Sequence, residues 1–260
     1  MQAGKIVRRW REARRLSQLD LALEVDVSPR HLSCVETGKA RASAPLLERL
    51  AETLAMPLRE RNGLLLAAGF APSYRETPLS APEMANVRRA VELILAHQEP
   101  FPAFVADRYW NVLDANPALQ RLLGTLLGRP PRHENVLHQI FDPADVRPLI
   151  VGWEQLAASL LVHLHHDMAK WPADEDAQKL WNELMAYPDV PENWRWHRLE
   201  SRPLPTIETR FKRNDGELSF FSTLTTFPGA HDVTLDEIRV ECMYPADART
   251  SEFCCELTKK

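Results

Sequence analysis

The sequence predicts an all-α N-terminal five-helix domain holding a helix-turn-helix, followed by an α+β domain with an antiparallel sheet. Three observations carry this reading. Residues 1–69 contain three prolines and read as short helices. Ala71-Pro72-Ser73, with Pro78 and Pro82 behind it, then interrupts the helical texture. Beyond residue 208 the apolar residues switch to a period of two, the mark of half-buried strands. The expected division is a helix-turn-helix domain over 1–72, a linker over 73–84 and a second domain over 85–260.

The elements follow in order. Gly69 ends the fifth helix, and a further helix is expected from Pro82 to His97. Ala103–Ala106 and Tyr109–Leu113 read as two strands around a tight turn, and Asn116-Pro117 supplies an N-cap and first-turn proline for a helix. From Asp145 to Met168 an apolar stripe runs through Trp153, Leu156, Leu160, Leu164 and Met168 at helical spacing. Another helix is expected over Ala177–Met185. Thr209–Lys212 and Leu218–Phe227 flank the turn Asn214-Asp215-Gly216, and Leu235–Tyr244 is expected as a further strand. The tail strands can return beside the first pair to close one sheet covered by helices, a shell able to enclose an apolar pocket.

Leu16-Ser17-Gln18-Leu19-Asp20-Leu21-Ala22 through Val35-Glu36 is the most informative stretch. Ser17 with Asp20 makes a capping-box-like start for one helix. Asp26 takes the turn, where left-handed geometry favours Gly, Asn or Asp. Ser28 is a natural N-cap and Pro29 a natural first residue for the next helix, which Thr37-Gly38 stops. On that helix Leu32 and Val35 share one face, while Arg30, Ser33, Cys34 and Thr37 lie opposite. Such a short amphipathic helix with a small, polar outer face suits a major groove. On the preceding helix Leu21, Ala22 and Val25 face inward, leaving Leu19 and Leu23 outside to meet the C-terminal domain or a second subunit.

Charge agrees with a polyanionic partner for this head. Residues 1–69 hold 12 Lys and Arg against 8 Asp and Glu, and the rest 20 against 28, so a +4 head precedes a −8 body.

From Ile6 to about Leu54 the chain resembles the Cro/cI-type (XRE family) helix-turn-helix regulators, through Leu16-Ser17-Gln18, Leu21-Ala22, Val27-Ser28, Leu32-Ser33, Val35-Glu36 and Gly38-Lys39. The resemblance implies double-stranded DNA as partner. Gln18 would then bind backbone and perhaps base, Pro29, Arg30, Ser33 and Cys34 would line the groove with Thr37, and Lys39 and Arg41 would hold phosphates. It also implies a structural ion pair between Arg11 and Glu36. Pro29 cannot donate to a base and Cys34 reads poorly, so Arg30 is the strong base-edge candidate.

Residues 100–258 resemble the MmyB-like ligand-binding domain that follows a helix-turn-helix in many bacterial regulators. The match rests on Pro102-Ala103 through Ala106-Asp107, Trp110, Val112-Leu113, Asn116, Trp153-Glu154 and Tyr244-Pro245. It implies a PAS-like fold and a small, apolar, fatty-acid-like ligand. Phe104, Trp110, Trp153, Leu160, Phe220 and Trp194 are the candidate pocket residues; Trp194, with Trp196 and His197, also reads as core. The functional expectation is a cytoplasmic, dimeric repressor controlled by that ligand. The alternative is a constitutive DNA-binding protein whose C-terminal domain serves oligomerisation or partner binding.

Other chemistry is poorly represented. No G-x-S-x-G, H-E-x-x-H, G-x-G-x-x-G or phosphate-binding loop occurs, so neither an enzyme nor a cofactor is expected. His163, His166 and Asp167 could share a helix face, but no fourth ligand accompanies them and no metal is expected. Cys34, Cys242, Cys254 and Cys255 lack metal spacing and read as reduced thiols. The basic N-terminus has no apolar secretory core, and no apolar run is long enough to span a membrane.

Overall fold

The computed structural model describes residues 2–171, 174–194, 208–227 and 231–259. It divides into two compact units, Met1–Thr77 with His166–Asp176 and Gly229–Asp236, and Pro78–His165 with Ala177–Pro228 and Glu237–Lys260.

The first unit is built on α1 (Gln2–Ala13), α2 (Gln18–Glu24), α3 (Pro29–Glu36), α4 (Ala44–Thr53) and α5 (Leu58–Ala67). Their inward faces meet in one core around Trp10, Leu21, Leu32, Leu47, Leu50 and Leu64. The caps are local. Ser17 accepts from the Asp20 N–H while Asp20 accepts from the Ser17 N–H, a reciprocal capping box. Ser28 accepts from His31 N, with Pro29 beginning α3. Asp26 sits at φ 53° in the turn, and Gly38 at φ 75° follows α3.

Segment 73–77, expected within a linker, is bonded inside this unit. Asn62 accepts from the Ser73 and Tyr74 N–H groups and donates to the Tyr74 carbonyl at 2.7 Å. Val233 N donates to the Arg75 carbonyl at 2.8 Å, and Thr77 N to Asp232.

The second unit opens with α6 (Ala85–Gln98), β1 (Ala103–Ala106), β2 (Val112–Ala115), α7 (Pro117–Leu127) and α8 (Val136–Phe141). Then come α9 (Trp153–Lys170), whose end belongs to the first unit, α10 (Glu175–Met185), β3 (Glu208–Arg213) and β4 (Gly216–Thr225). The chain continues with α11 (Val233–Glu237), largely of the first unit, then β5 (Arg239–Pro245) and α12 (Ala248–Leu257). The described strands form one antiparallel sheet in the order β2-β1-β5-β4-β3. The late strands therefore do return beside the first pair.

Three local expectations are corrected. Tyr109 and Trp110 lie in a turn and Asn111 in an isolated bridge to Asn135 rather than at the start of β2, because the Asp107 carboxylate accepts from the Tyr109 and Asn111 N–H groups at 2.8 and 2.9 Å and Trp110 turns to φ 70°. Leu235–Glu237 is helical, since the Asp232 side chain accepts from Thr234 N at 2.9 Å and starts a short helix before β5. The tail ends in a helix, α12, with Asp247 accepting from Thr250 N.

Asn116 joins β1 to α7. Its carbonyl oxygen accepts from Ala103 N at 3.0 Å and Leu119 N at 3.1 Å, while its amide donates to the Phe101 carbonyl. The β3–β4 hairpin pairs Arg213 with Gly216 across Asn214 and Asp215, and Gly216 takes φ 137° where a side chain would strike Arg249. Among the described residues no helix is long and apolar enough to cross a membrane.

Candidate DNA interface and ligand pocket

Helix α3 carries the residues expected to line a groove. Pro29 and Arg30 are exposed at its start, Ser33 and Cys34 are half-buried, and Thr37 is exposed at its end. The loop beyond is anchored by backbone, because the Lys39 and Ala40 N–H groups both donate to the Cys34 carbonyl at 2.8 and 3.0 Å. That anchorage fixes the base of Lys39, and Arg41 is exposed two residues on. Inward, Leu32 and Val35 are buried.

The orientation of α3 is set by a buried carboxylate. Arg11 on α1 donates to Glu36 through Nε at 2.7 Å and Nη2 at 3.0 Å, a two-pronged pair. This hydrogen bond, the largest influence, raises the Arg11 pKa further. Gln18 at the head of α2 donates from Nε2 to the same Glu36 carboxylate at 2.7 Å. One acidic side chain thus joins three helices. Part of Gln18's donor capacity is spent here, although an amide nitrogen carries two hydrogens.

Gly4 was not singled out by sequence reasoning. A β-carbon there would collide with the Val35 carbonyl oxygen and stand 2.8 Å from that of Glu36. Helix α1 therefore crosses the end of α3 at backbone contact. An N-terminal glycine inside a helix was the available signal. Leu19 and Leu23 are exposed at 54% and 69%.

In the second unit a cavity of about 660 Å³ lies on one face of the sheet. Phe104 of β1, Ala115 of β2, Phe211 of β3 and Glu241 and Met243 of β5 form its floor. Leu119, Leu123 and Gly124 of α7 and Val136, Gln139 and Ile140 of α8 wall it, with Gly128–Pro131, His133 and Glu134 also lining it.

Of the expected pocket residues, Phe104 lines this cavity and the others are packed elsewhere. Phe220 is fully buried with the ring of Phe211 edge-on against it at 6.1 Å. The Trp153 indole donates to the Ile140 carbonyl at 2.7 Å and meets Phe141 edge-on. Trp110 sits in the positive-φ turn with Arg239 over its ring. Trp194 packs on Trp181 and His165, and Leu160 is buried on α9. Trp196 and His197 lie outside the described residues.

Charged groups at the cavity are mostly engaged. Arg129 donates to Asp145 at 3.2 Å and to the carbonyls of Pro130 and Ala144. His133 Nε2 bonds Asp142 at 2.8 Å, which holds the Asp142 carboxyl below its ordinary range. Behind it, His138 bonds the Tyr187 hydroxyl at 3.0 Å and approaches Glu183, and burial pushes the His138 pKa down. Glu241 differs: burial raises its carboxyl pKa, and a hydrogen bond with Ser222 opposes the rise.

These two sites correspond to two matches. A family model described as the MmyB-like transcription regulator ligand binding domain covers residues 87–257, more than half of the chain. The chain belongs to this family. A helix-turn-helix family model covers residues 7–61 of the same regulator. It is thus a DNA-binding transcription regulator carrying a ligand-binding domain, and both matched families are regulator domains rather than enzymes. No curated protein matches the regulator.

Among its described residues, no group of three or more His, Cys, Asp or Glu is placed to hold a metal ion. The cysteines of the regulator are unbridged, and burial pushes the Cys254 thiol up to about 11.

Proposed function

We propose that this regulator is a dimeric repressor whose operator affinity is set by a small, mostly apolar molecule held in the cavity over the sheet. The observation that carries the reading is the cavity itself: about 660 Å³, walled by aliphatic side chains of α7 and α8, within a chain that also presents α3. Its size is that of a small-ligand site, and most of its lining is apolar.

In this reading Arg30 reads a guanine edge from the start of α3, with Pro29, Ser33, Cys34 and Thr37 closing on the groove wall. Gln18 offers its second amide hydrogen to a phosphate while the first stays on Glu36. Lys39 and Arg41 neutralise backbone phosphates. Two copies of α3 must stand about 34 Å apart to enter successive major grooves. A ligand that favours one dimer arrangement by about 1–3 kcal/mol changes occupancy roughly 5- to 150-fold. The PAS-like sheet order supports a sensing role for the second unit.

Selection of bound duplexes from a random pool, followed by anisotropy titration with and without ligand, tests this. A thermal-shift screen over fatty acids, alkyl amphiphiles, nucleosides and aromatics supplies the ligand. The expected outcome is salt-sensitive duplex binding that a stabilising compound weakens at least severalfold. Duplex binding indifferent to every stabilising compound would leave the second domain an assembly module.

A further inference from the structure

An acid stands on the floor of the cavity. Glu241 lies mid-strand on β5, paired with Phe104 of β1 and Leu224 of β4. The pleat puts it on the face that carries Met243, Phe104 and the floor of the cavity. Ser222 stands diagonal to it on β4 and opposes the effect of burial on its carboxyl. One hydroxyl can fill at most one of the roughly four lone-pair sites a carboxylate offers. The cations nearby are directed elsewhere: Arg129 is bonded to Asp145 and two carbonyls, and Arg239, two residues along the strand, stacks over Trp110.

We propose that the cavity takes an alkyl chain bearing a protonated primary amine, with the ammonium on Glu241 and the chain against Leu123, Val136 and Ile140. This rests on the reading of the cavity as the ligand site and names the head group. An ammonium carries three donors and a charge opposite to the one Glu241 bears when ionised. A carboxylate head at the same place would set two acids together in an apolar enclosure, where one must remain protonated. The family resemblance implies a fatty-acid-like ligand of the opposite polarity, so the two readings separate cleanly.

Decylamine, decanol and decanoic acid share one chain and differ in the head. Calorimetric titration of the intact protein with each, below its micellar concentration and near neutral pH, compares them directly. Decylamine is expected to bind about tenfold or more tighter than decanoate. Glu241→Gln is expected to remove about tenfold from decylamine and leave decanol nearly unchanged. Gly124 lines the cavity from α7 with open space where a β-carbon would stand, so Gly124→Phe is expected to block all three compounds. Decanoate binding as tightly as decylamine overturns the amine assignment while keeping the ligand site, as does a Glu241→Gln protein that binds decylamine normally. Failure of all three compounds to bind overturns the ligand site as well. The comparison of compounds on the unmodified protein stands even where a variant folds poorly.

Discussion

Arg11 and Glu36, 25 residues apart in sequence, meet through two nearly parallel hydrogen bonds of 2.7 and 3.0 Å with the carboxylate fully buried. The pair ties the first helix of the bundle to the end of α3. Arg11→Ala leaves Glu36 charged, buried and held by Gln18 alone, and should cost about 3–5 kcal/mol in stability. Urea denaturation of the full chain measures it. Loss below 1 kcal/mol would show that solvent reaches the site.

Arg30 and Lys39 should fail in different ways. Arg30→Ala should cost about 1–3 kcal/mol on the preferred duplex and little on random DNA, because a base-edge contact carries sequence information. Lys39→Ala should weaken all duplexes alike and reduce the slope of log K against log salt by about one. Anisotropy titrations at several salt concentrations distinguish them. Equal losses for Arg30→Ala on both kinds of DNA would reassign it to phosphate.

Gly4→Ala should be costly despite the better helix propensity of alanine. The added methyl meets the carbonyls of Val35 and Glu36, backbone atoms that cannot rotate away, so α1 and α3 must part. Overpacking of this kind costs about 1–3 kcal/mol. Duplex affinity should fall with stability, since α3 shifts with its neighbour. A variant that melts like the parent would place the crossing farther apart.

His138 should make the protein acid-sensitive just below neutrality. Burial holds its pKa below 6.5, so the unfolded chain takes up a proton there before the folded one does. Its contribution is complete above pH about 6.5 and is lost as pH falls toward the folded value. His138→Gln keeps an acceptor for the Tyr187 hydroxyl without titrating, and should flatten the melting temperature against pH over that window. Asp142 acts at lower pH, because its hydrogen bond with His133 holds it below the usual carboxylate range. An unaltered profile in the variant would move the acid response to other groups.

The first unit was largely legible in the sequence because its signals are local. Ser17 with Asp20, Ser28 with Pro29 and Asp26 each specify a cap or turn within four residues, and each adopts the expected geometry. Asn116-Pro117 did the same for α7. The misread segments obey side chains whose partners periodicity does not reveal. Tyr109 and Trp110 favour strands by type, yet the Asp107 carboxylate folds them into a turn. Helix α8 is six residues long, too short for a period to emerge, and α12 follows strands closely enough to be absorbed into their alternation.

The cavity was the least legible feature. An apolar pocket suggested aromatic walls, but Trp153, Trp194 and Phe220 are spent packing against other rings or a backbone carbonyl. Aliphatic residues of α7 and α8 wall it instead. Alternation on β5 assigns Glu241 to a face; it does not say what covers that face. The Arg11–Glu36 pair spans 25 residues and came from likeness to a family, not from spacing.

The order β2-β1-β5-β4-β3 also has a consequence for biosynthesis. The strand that bridges the two hairpins is translated last among the five, more than a hundred residues after β1. Until it leaves the ribosome, the inner edge of β1 has unsatisfied amides and carbonyls and can recruit a neighbouring nascent chain. A ribosome stalled before residue 239 would release a polypeptide with two unjoined hairpins, prone to aggregate and dependent on chaperones.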